Sequence, residues 1–331
     1  MRAIVQTAYG TPTEVLSLAD LPVPTVADGD VLIRVRATSV NTPDWAVVSG
    51  TPTLMRLGFG WSKPRATVRG TDVAGFVEAV GAGVTEFAVG DAVFGSSLDS
   101  VAGTFAELAV VPQGRLLRKP EALSFEEAAS MVMSGLTAVR AIRDVAQVRP
   151  GMKVLINGAS GGVGLLAVQL AVSLGAEVTG VCSGRNAELV LAQGATQVID
   201  YTREDFTESE QRWDVILDNV INHPLRRVMK VLSPTGVVLP NSIGQTTGRL
   251  GRVLAGIPRM ALAGLMSLFS RRIKLPSITV TTETLQALLD LVEDGAMKVV
   301  IDRTYPLDQA PQAVAHMLSH RAAGKVVIAV A

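Results

Sequence analysis

The residues with the most pointed chemistry stand together at Asn157-Gly-Ala-Ser-Gly-Gly-Val-Gly164. Read as Ala159-x-Gly161-x-x-Gly164, the run is the glycine fingerprint of a dinucleotide site, with Ala in place of the first Gly. The spacing has a physical meaning. Gly161 would let the backbone approach a pyrophosphate, and Gly164 would let helix and strand pack closely. Backbone N–H groups over Ser160, Gly161, Gly162 and Val163 would meet the anion at a helix N-terminus. A tight strand-to-helix turn without a ligand is the alternative.

Which dinucleotide follows from the next strand. An NAD site carries Asp or Glu some twenty residues further on, where it binds the ribose 2′-hydroxyl. Here Ser183 stands at that place, with Arg185 and Asn186 just beyond it. A hydroxyl and a guanidinium suit a 2′-phosphate, and that stretch holds no carboxylate to repel one; the alternative is that Arg185 is an ordinary solvated charge after a strand. The expected cofactor is NADP(H). Tyr201, just after the third strand of this region, lies either alongside the adenosine half or as a plain strand-end aromatic.

These residues need a scaffold, and its pattern is legible. Val154–Ile156 is a short apolar strand before the glycine run, and Val163–Leu174 is a helix stopped by Gly175. Strands at Val178–Cys182, Val198–Ile199, Val215–Leu217 and Val237–Leu239 follow, with a helix over Asn186–Gln193. Strand, helix, strand at this spacing predicts βαβ units and a parallel sheet buried on both faces. Residues 1–120 read differently, as short strands broken by Gly turns, which suggests an all-β unit of barrel type. Ser124 and Glu127 form a capping-box signature ahead of an Ala/Met-rich helix over Glu126–Ile142. The chain closes with a helix at Glu283–Glu293, a strand at Val299–Ile301, a helix around Ala310–Leu318 and a strand at Lys325–Val330.

Composition removes several function classes. The chain has 331 residues, 48% of them hydrophobic, and its 30 Lys and Arg balance 30 Asp and Glu. Zero net charge argues against nucleic-acid binding. A single Cys, Cys182, excludes an internal disulfide framework and any multi-cysteine metal site. No apolar stretch of signal-peptide length opens the chain, so a cytoplasmic address is the default. The segment Leu250–Leu275 carries one charge, Arg259, between Arg252 and Arg271. It reads as an apolar cover over a pocket or subunit interface; peripheral membrane contact through 250–275 and its flanking cations is the minority reading. His316-x-x-x-His320 places two imidazoles on one helical face, without the Glu or third ligand that a metal would need.

Taken together, the chain resembles the medium-chain dehydrogenase/reductase superfamily, in its zinc-free quinone oxidoreductase-like branch. The resemblance rests on Asn41-Thr-Pro-Asp44, Gly70-Thr-Asp-Val-Ala-Gly75 with Val80-Gly81, Val89-Gly90-Asp-Ala-Val93, Gly135-Leu-Thr-Ala138, Asn157–Gly164 and Gly324-Lys-Val-Val327. It implies an α/β protein: a GroES-like β-barrel substrate domain plus a Rossmann doubly wound parallel sheet. The corresponding ranges are 1–121 and 281–331 for the substrate domain and 122–280 for the NADP-binding domain. It also implies a homodimer, through edge-strand pairing of the Rossmann sheets.

Zinc-containing relatives hold their catalytic metal with Cys, His and Cys. Matching those motifs puts Asn41, Thr71 and approximately Met133 at the three places, which is no zinc ligand set. The resemblance therefore implies metal-free hydride transfer from NADPH to a quinone or α,β-unsaturated carbonyl, which can spread the incoming charge onto oxygen. An alcohol dehydrogenase, an enoyl-thioester reductase and an NADPH-binding protein with little turnover are the alternatives.

The site residues carried over are few. Asn41 either hydrogen-bonds the substrate carbonyl or makes an Asx-type turn before Pro43. Asp44 orients that loop, Trp45 is wall or core, and Thr137 either approaches the nicotinamide or serves helix packing. Lys325 either reaches cofactor or inter-domain carboxylates, or is a solvated strand-edge lysine. Asn219, beside Asp218 and Val220 at a strand's carboxyl end, lines the nicotinamide pocket, as does Pro240-Asn-Ser242. Cys182 reads as buried and inert.

Overall fold

The computed structural model describes residues 1–51, 53, 56–98, 103–242, 263–268 and 270–331. They divide into two compact units, the first comprising 1–136, 279–290 and 301–331, the second 137–278 and 291–300.

The first unit is β-rich, as its Gly-punctuated runs predict. Strands β1 (Arg2–Gln6) and β2 (Leu16–Asp20) form an antiparallel pair. The larger sheet takes β3 (Asp30–Ser39), β4 (Asp72–Val80), β5 (Ala92–Ser96), β6 (Leu108–Pro112) and β7 (Leu116–Arg118) from the first part of the chain. From the end of the chain it takes β13 (Ile301–Pro306) and β14 (Lys325–Ala329). The order is β13-β14-β3-β4-β5-β7, with β6 paired to β3. Its core is a cluster of β-branched and aromatic side chains including Ile4, Ile33, Val73, Phe105 and Ile328. Short helices α1 (Pro12–Val15), α2 (Thr42–Ser49) and α3 (Arg56–Phe59) interrupt the strands.

Helix α4 (Phe125–Val139) opens with the anticipated cap: Glu127 N–H donates to Ser124 Oγ at 3.1 Å, and Ser124 N–H to Glu127 Oε2 at 2.9 Å. It runs into a π-helical stretch over Arg140–Val145. The second unit contains five parallel strands: β8 (Lys153–Asn157), β9 (Glu177–Cys182), β10 (Gln197–Asp200), β11 (Trp213–Asp218) and β12 (Leu232–Pro240). Their order, β10-β9-β8-β11-β12, is that of the expected doubly wound sheet. Helix α5 (Gly162–Ser173) is apolar almost all round and buries Leu165, Leu166, Val168 and Leu170, as a helix enclosed by its own domain should. Helices α6 (Ala187–Ala192) and α7 (Leu225–Lys230) complete this pattern, and Trp213 and Leu155 anchor its core. The outer edge of β12 is met by residues 272–274: Val238 N–H donates to Arg272 C=O and Lys274 N–H to Val238 C=O.

Helices α8 (Thr282–Glu293) and α9 (Ala310–Leu318) and two corrections belong to the C-terminal region. The expected strand at Val299–Ile301 starts only at Ile301, because its ladder partner β14 pairs Lys325 with Ile301 and runs onward from there. The two imidazoles do not share a helical face: α9 ends at Leu318, and His320 has a left-handed backbone (φ 54°). His316 Nε2 instead lies 2.6 Å from Asp302 Oδ2. Of the 250–275 segment, 250–262 and 269 lie outside the described residues; 263–268 are helical, with Leu265 and Leu268 exposed. No helix among the described residues is long and apolar enough to cross a membrane.

Candidate active site

In the second unit the sheet changes winding direction beside β8, with β9 on one side and β11 on the other. That is where an open α/β sheet offers a crevice at its carboxyl edge. The ends of β8 and β11 meet there in register, Asn157 opposite Asp218. Buried Asn157 Nδ2 donates to Asp218 Oδ1 at 2.7 Å and to Asn222 Oδ1 at 3.0 Å. Asp218 Oδ1 also accepts from the N–H groups of Val220 and Ile221, so one carboxylate shapes the loop carrying Asn219. Asn219 Oδ1 accepts from Asn241 Nδ2 at 2.7 Å, while Asn219 Nδ2 is buried without a protein acceptor.

The glycine run forms the turn between β8 and α5. Gly158 takes a left-handed backbone (φ 78°), and Gly158 and Ala159 both donate to Val181 C=O at 3.0 Å. The two later glycines differ physically. A Cβ on Gly164 would lie 2.2 Å from Gly158 O and 2.7 Å from Ala159 O, so this glycine permits the helix to close onto the strand. A Cβ on Gly161 would meet nothing nearer than Gly158 O at 3.5 Å. Its missing side chain serves no protein packing and leaves open space over the first turn of α5. The N–H groups of Gly162, Val163 and Gly164 have no carbonyl four residues back within the helix. Open space, converging donors and the orphan amide of Asn219 fit a dinucleotide pyrophosphate and a polar nicotinamide group.

Beyond β9, Ser183 is half-buried and begins a 3₁₀ turn over Gly184–Asn186 that exposes Arg185. Asn186 Nδ2 donates to Ser160 Oγ at 3.0 Å, tying this turn to the glycine run. Tyr201 is 58% exposed beside the same edge. The reading that no carboxylate stands here requires correction. It holds for β9 itself, yet β10 runs parallel with Asp200 opposite Cys182. Asp200 Oδ2 lies 2.6 Å from where a Cβ of Gly184 would be. Linear spacing along one strand is blind to a neighbour supplied by the next. Cys182 is buried, and burial pushes its thiol up to about 11, consistent with an inert role.

In the first unit, a buried polar cluster surrounds Asn41, the N-cap of α2. Asn41 Oδ1 accepts from Lys325 Nζ at 2.7 Å, and its Nδ2 donates to Asp72 Oδ2 at 2.8 Å. Further Nδ2 contacts, to Thr71 Oγ1 at 3.3 Å and Ser39 C=O at 3.5 Å, are long. Asn41 also stands at the N-cap of a capping box with Asp44, which is the local-turn role the sequence left open. Asp44 reaches back: its Oδ2 accepts from Asn41 N–H at 2.8 Å and its Oδ1 from Gly70 N–H at 3.2 Å. Asp44 thus orients the loop as expected, and burial raises its carboxyl to about 7. Trp45 packs against the core. Lys325 is 3% exposed, which removes the solvated-lysine alternative. Its ion partner, Asp72 at 3.8 Å, belongs to the same unit. Thr137, at the far end of α4, is buried in the second unit.

Asp72 and Arg69 were missed as site residues. Asp72 is fully buried and also accepts from Ser39 Oγ at 2.5 Å and Met133 N–H at 3.3 Å. Arg69 is buried, with Nε unpartnered, and its charge acts on Asp44. The available signal was a carboxylate and a cation flanking Thr71 in one short motif. The three places carried over from zinc-containing relatives are Asn41, Thr71 and approximately Met133. An amide, a hydroxyl and a thioether stand there, and the Lys325 ammonium touches the first of them. Among the described residues no group of three His, Cys, Asp or Glu converges.

Comparison with known proteins agrees with this architecture. The alcohol dehydrogenase GroES-like domain family matches residues 27–121, and the zinc-binding dehydrogenase family matches 193–328. A quinone oxidoreductase of Pseudomonas aeruginosa is 32% identical over 97% of this chain and 97% of its own. The quinone oxidoreductase of Coxiella burnetii superposes with a TM-score of 0.82 at 29% identity, covering 100% of this chain and 99% of that one. The Escherichia coli quinone oxidoreductase, solved in complex with NADPH, gives 0.81 at 25% identity, covering 99% and 100%. Full-length similarity at this level, carried by both units, makes the chain a member of the medium-chain dehydrogenase/reductase superfamily, an oxidoreductase of its quinone oxidoreductase-like branch.

Proposed function

We propose that the protein is a zinc-independent oxidoreductase that reduces a quinone or an α,β-unsaturated carbonyl with NADPH. The observation that carries this reading is the Asn41–Asp72–Lys325 cluster, where an ammonium is hydrogen-bonded to the residue at the first metal-ligand place. A divalent cation brought there would meet that charge at contact distance. Without a Lewis acid, reduction of a simple ketone loses its main means of stabilising an alkoxide. Activated acceptors need less help, because they delocalise the incoming charge.

When bound, the nicotinamide supplies the hydride. The chain's own residues do the rest. Ser160, Gly162, Val163 and Gly164 hold the pyrophosphate with backbone donors, Gly161, whose own N–H donates to Gly158 C=O, leaves room for its approach, and Asn219 Nδ2 offers a donor to the nicotinamide. Ser183 and Arg185 bind the 2′-phosphate, with Tyr201 beside the adenosine. Asn41 presents the Nδ2 proton that is held only by long contacts, so an acceptor oxygen can claim it at little cost. Asp44 and Lys325 are positioning residues: the first fixes the turn that carries Asn41, the second fixes which way its amide points. Thr137 contacts the nicotinamide side. The apolar acceptor binds in the 1–121 and 281–331 domain, the nucleotide in 122–280, and two copies assemble through edge-strand pairing of the Rossmann sheets.

The test is oxidation of NADPH and of NADH by purified protein in chelator, against one quinone, one conjugated alkenal and one simple aldehyde. NADPH consumption with quinone or alkenal but not aldehyde is expected. Aldehyde turnover in chelator would overturn the activated-acceptor argument. Tight NADPH binding without turnover of any acceptor would replace the enzyme reading with that of a binding protein.

A further inference from the structure

Asp200, at the carboxyl end of β10, is the charged group that the cofactor argument did not use. Parallel pairing sets it opposite Cys182, so its side chain lies beside the Ser183–Gly184–Arg185 turn. Its position is built. Oδ1 accepts from Thr202 N–H at 3.0 Å and Thr202 Oγ1 at 2.8 Å. Oδ2 lies against the α-carbon of Gly184, where any side chain would collide at 2.6 Å. Hydrogen bonds from Thr202, aided by the Gly184 N–H, hold the carboxyl below its ordinary range, so it is ionised at neutral pH. The effect is a fixed negative charge within the turn that also offers Ser183 and Arg185.

Resting on the NADPH reading above, we propose that Asp200 is a specificity-determining residue for the adenosine ribose. In an NAD site a carboxylate at the end of the second strand accepts the 2′-hydroxyl. Here the third strand lends a carboxylate to the same edge. It competes with a 2′-phosphate for the Gly184 N–H and opposes the phosphate charge, while Ser183 and Arg185 attract it. Discrimination is a difference between two affinities, and a repulsive element lowers one of them. The pocket therefore prefers the 2′-phosphate only weakly, and the carboxylate sets the limit.

The experiment measures binding of 2′,5′-ADP and 5′-AMP to the full chain by calorimetry, which needs no acceptor and no turnover. Asp200→Asn is expected to raise the ratio of 2′,5′-ADP to 5′-AMP affinity about tenfold, the order that one like charge nearby produces. Thr202→Val removes one hydrogen bond to the same carboxylate but leaves its charge, and should move the ratio less than about threefold. An unchanged ratio in Asp200→Asn with a wild-type melting curve overturns the proposal, as does an equal change in both variants, which would mark a structural effect of the turn. Should the wild type bind neither probe, the nucleotide reading itself fails, and this one with it; that outcome is separate from an unchanged ratio.

Discussion

Replacing Lys325 with Met removes the cation paired with Asp72 in a buried cluster. Asp72 is 0% exposed and Lys325 3%, so neither charge has water to fall back on. Their separation of 3.8 Å corresponds to about 4 kcal/mol at an effective dielectric near 20. Breaking one side of a buried pair costs about 3–5 kcal/mol, because the surviving charge is left uncompensated. Lys325→Met should therefore lose about 3–5 kcal/mol at pH 8. Replacing both, Asp72→Asn with Lys325→Met, leaves no net charge and should recover about 1–3 kcal/mol relative to the sum of the single losses. The pH dependence has a definite sign. Burial already raises the Asp72 carboxyl, and Lys325 pulls it back down. Without the ammonium the carboxyl rises further, so it is neutral in the folded variant over more of the acid range, and the penalty shrinks as pH falls. Urea unfolding of the four proteins at pH 5 and pH 8, followed by circular dichroism, reads all three statements. A Lys325→Met loss below about 1 kcal/mol at pH 8, or strict additivity of the pair, would refute the reasoning.

Two further predictions separate packing from binding and charge from structure. Gly161→Ala should leave stability within about 0.5 kcal/mol, since φ −82° and ψ 172° suit alanine and the new methyl meets nothing closer than 3.5 Å. It should nevertheless weaken NADPH at least tenfold, whereas Gly164→Ala, 2.2 Å from a backbone carbonyl, should destabilise by about 1–3 kcal/mol; calorimetry beside urea melts distinguishes the two, and equal behaviour would remove the assigned roles. For Asp44 the folded value of about 7 exceeds the ordinary 3.8. The folded state therefore keeps a proton that the unfolded chain has lost, and stability falls as pH rises between those values, by at most about 1.4 kcal/mol per pH unit, then levels off. Asp44→Asn keeps an acceptor for only one of the Asn41 and Gly70 N–H groups, a loss that does not vary with pH, and should abolish that slope; a pH-independent difference between variant and wild type would sink the assignment.

Much of the second unit was legible because local sequence dictates it. The Val154–Ile156 run, the glycine spacing and the apolar Leu165–Leu170 stretch each carry their own period or steric demand. Strand, turn and helix therefore follow from neighbours in the chain. The Ser124–Glu127 cap was readable for the same reason. Boundaries were not. The strand placed at Val299–Ile301 moved to Ile301–Pro306 because its limits depend on the register of Lys325–Ala329, which no local rule reveals. His316 and His320 kept helical spacing on paper, but the helix stops at Leu318.

The sequence by itself determined that the chain has a parallel α/β unit with a dinucleotide turn, a β-rich unit and no multi-cysteine metal site. Those conclusions need only residue types and short spacings. Tertiary structure decided the charges. Lys325 meets Asn41 across most of the chain, Asp72 comes from the adjoining strand, and Asp200 reaches the Ser183–Arg185 turn from the neighbouring strand. Electrostatic energy depends on distance through space and on burial, and neither is a function of separation along the chain. A carboxylate that looked absent from one strand was waiting at the end of the next.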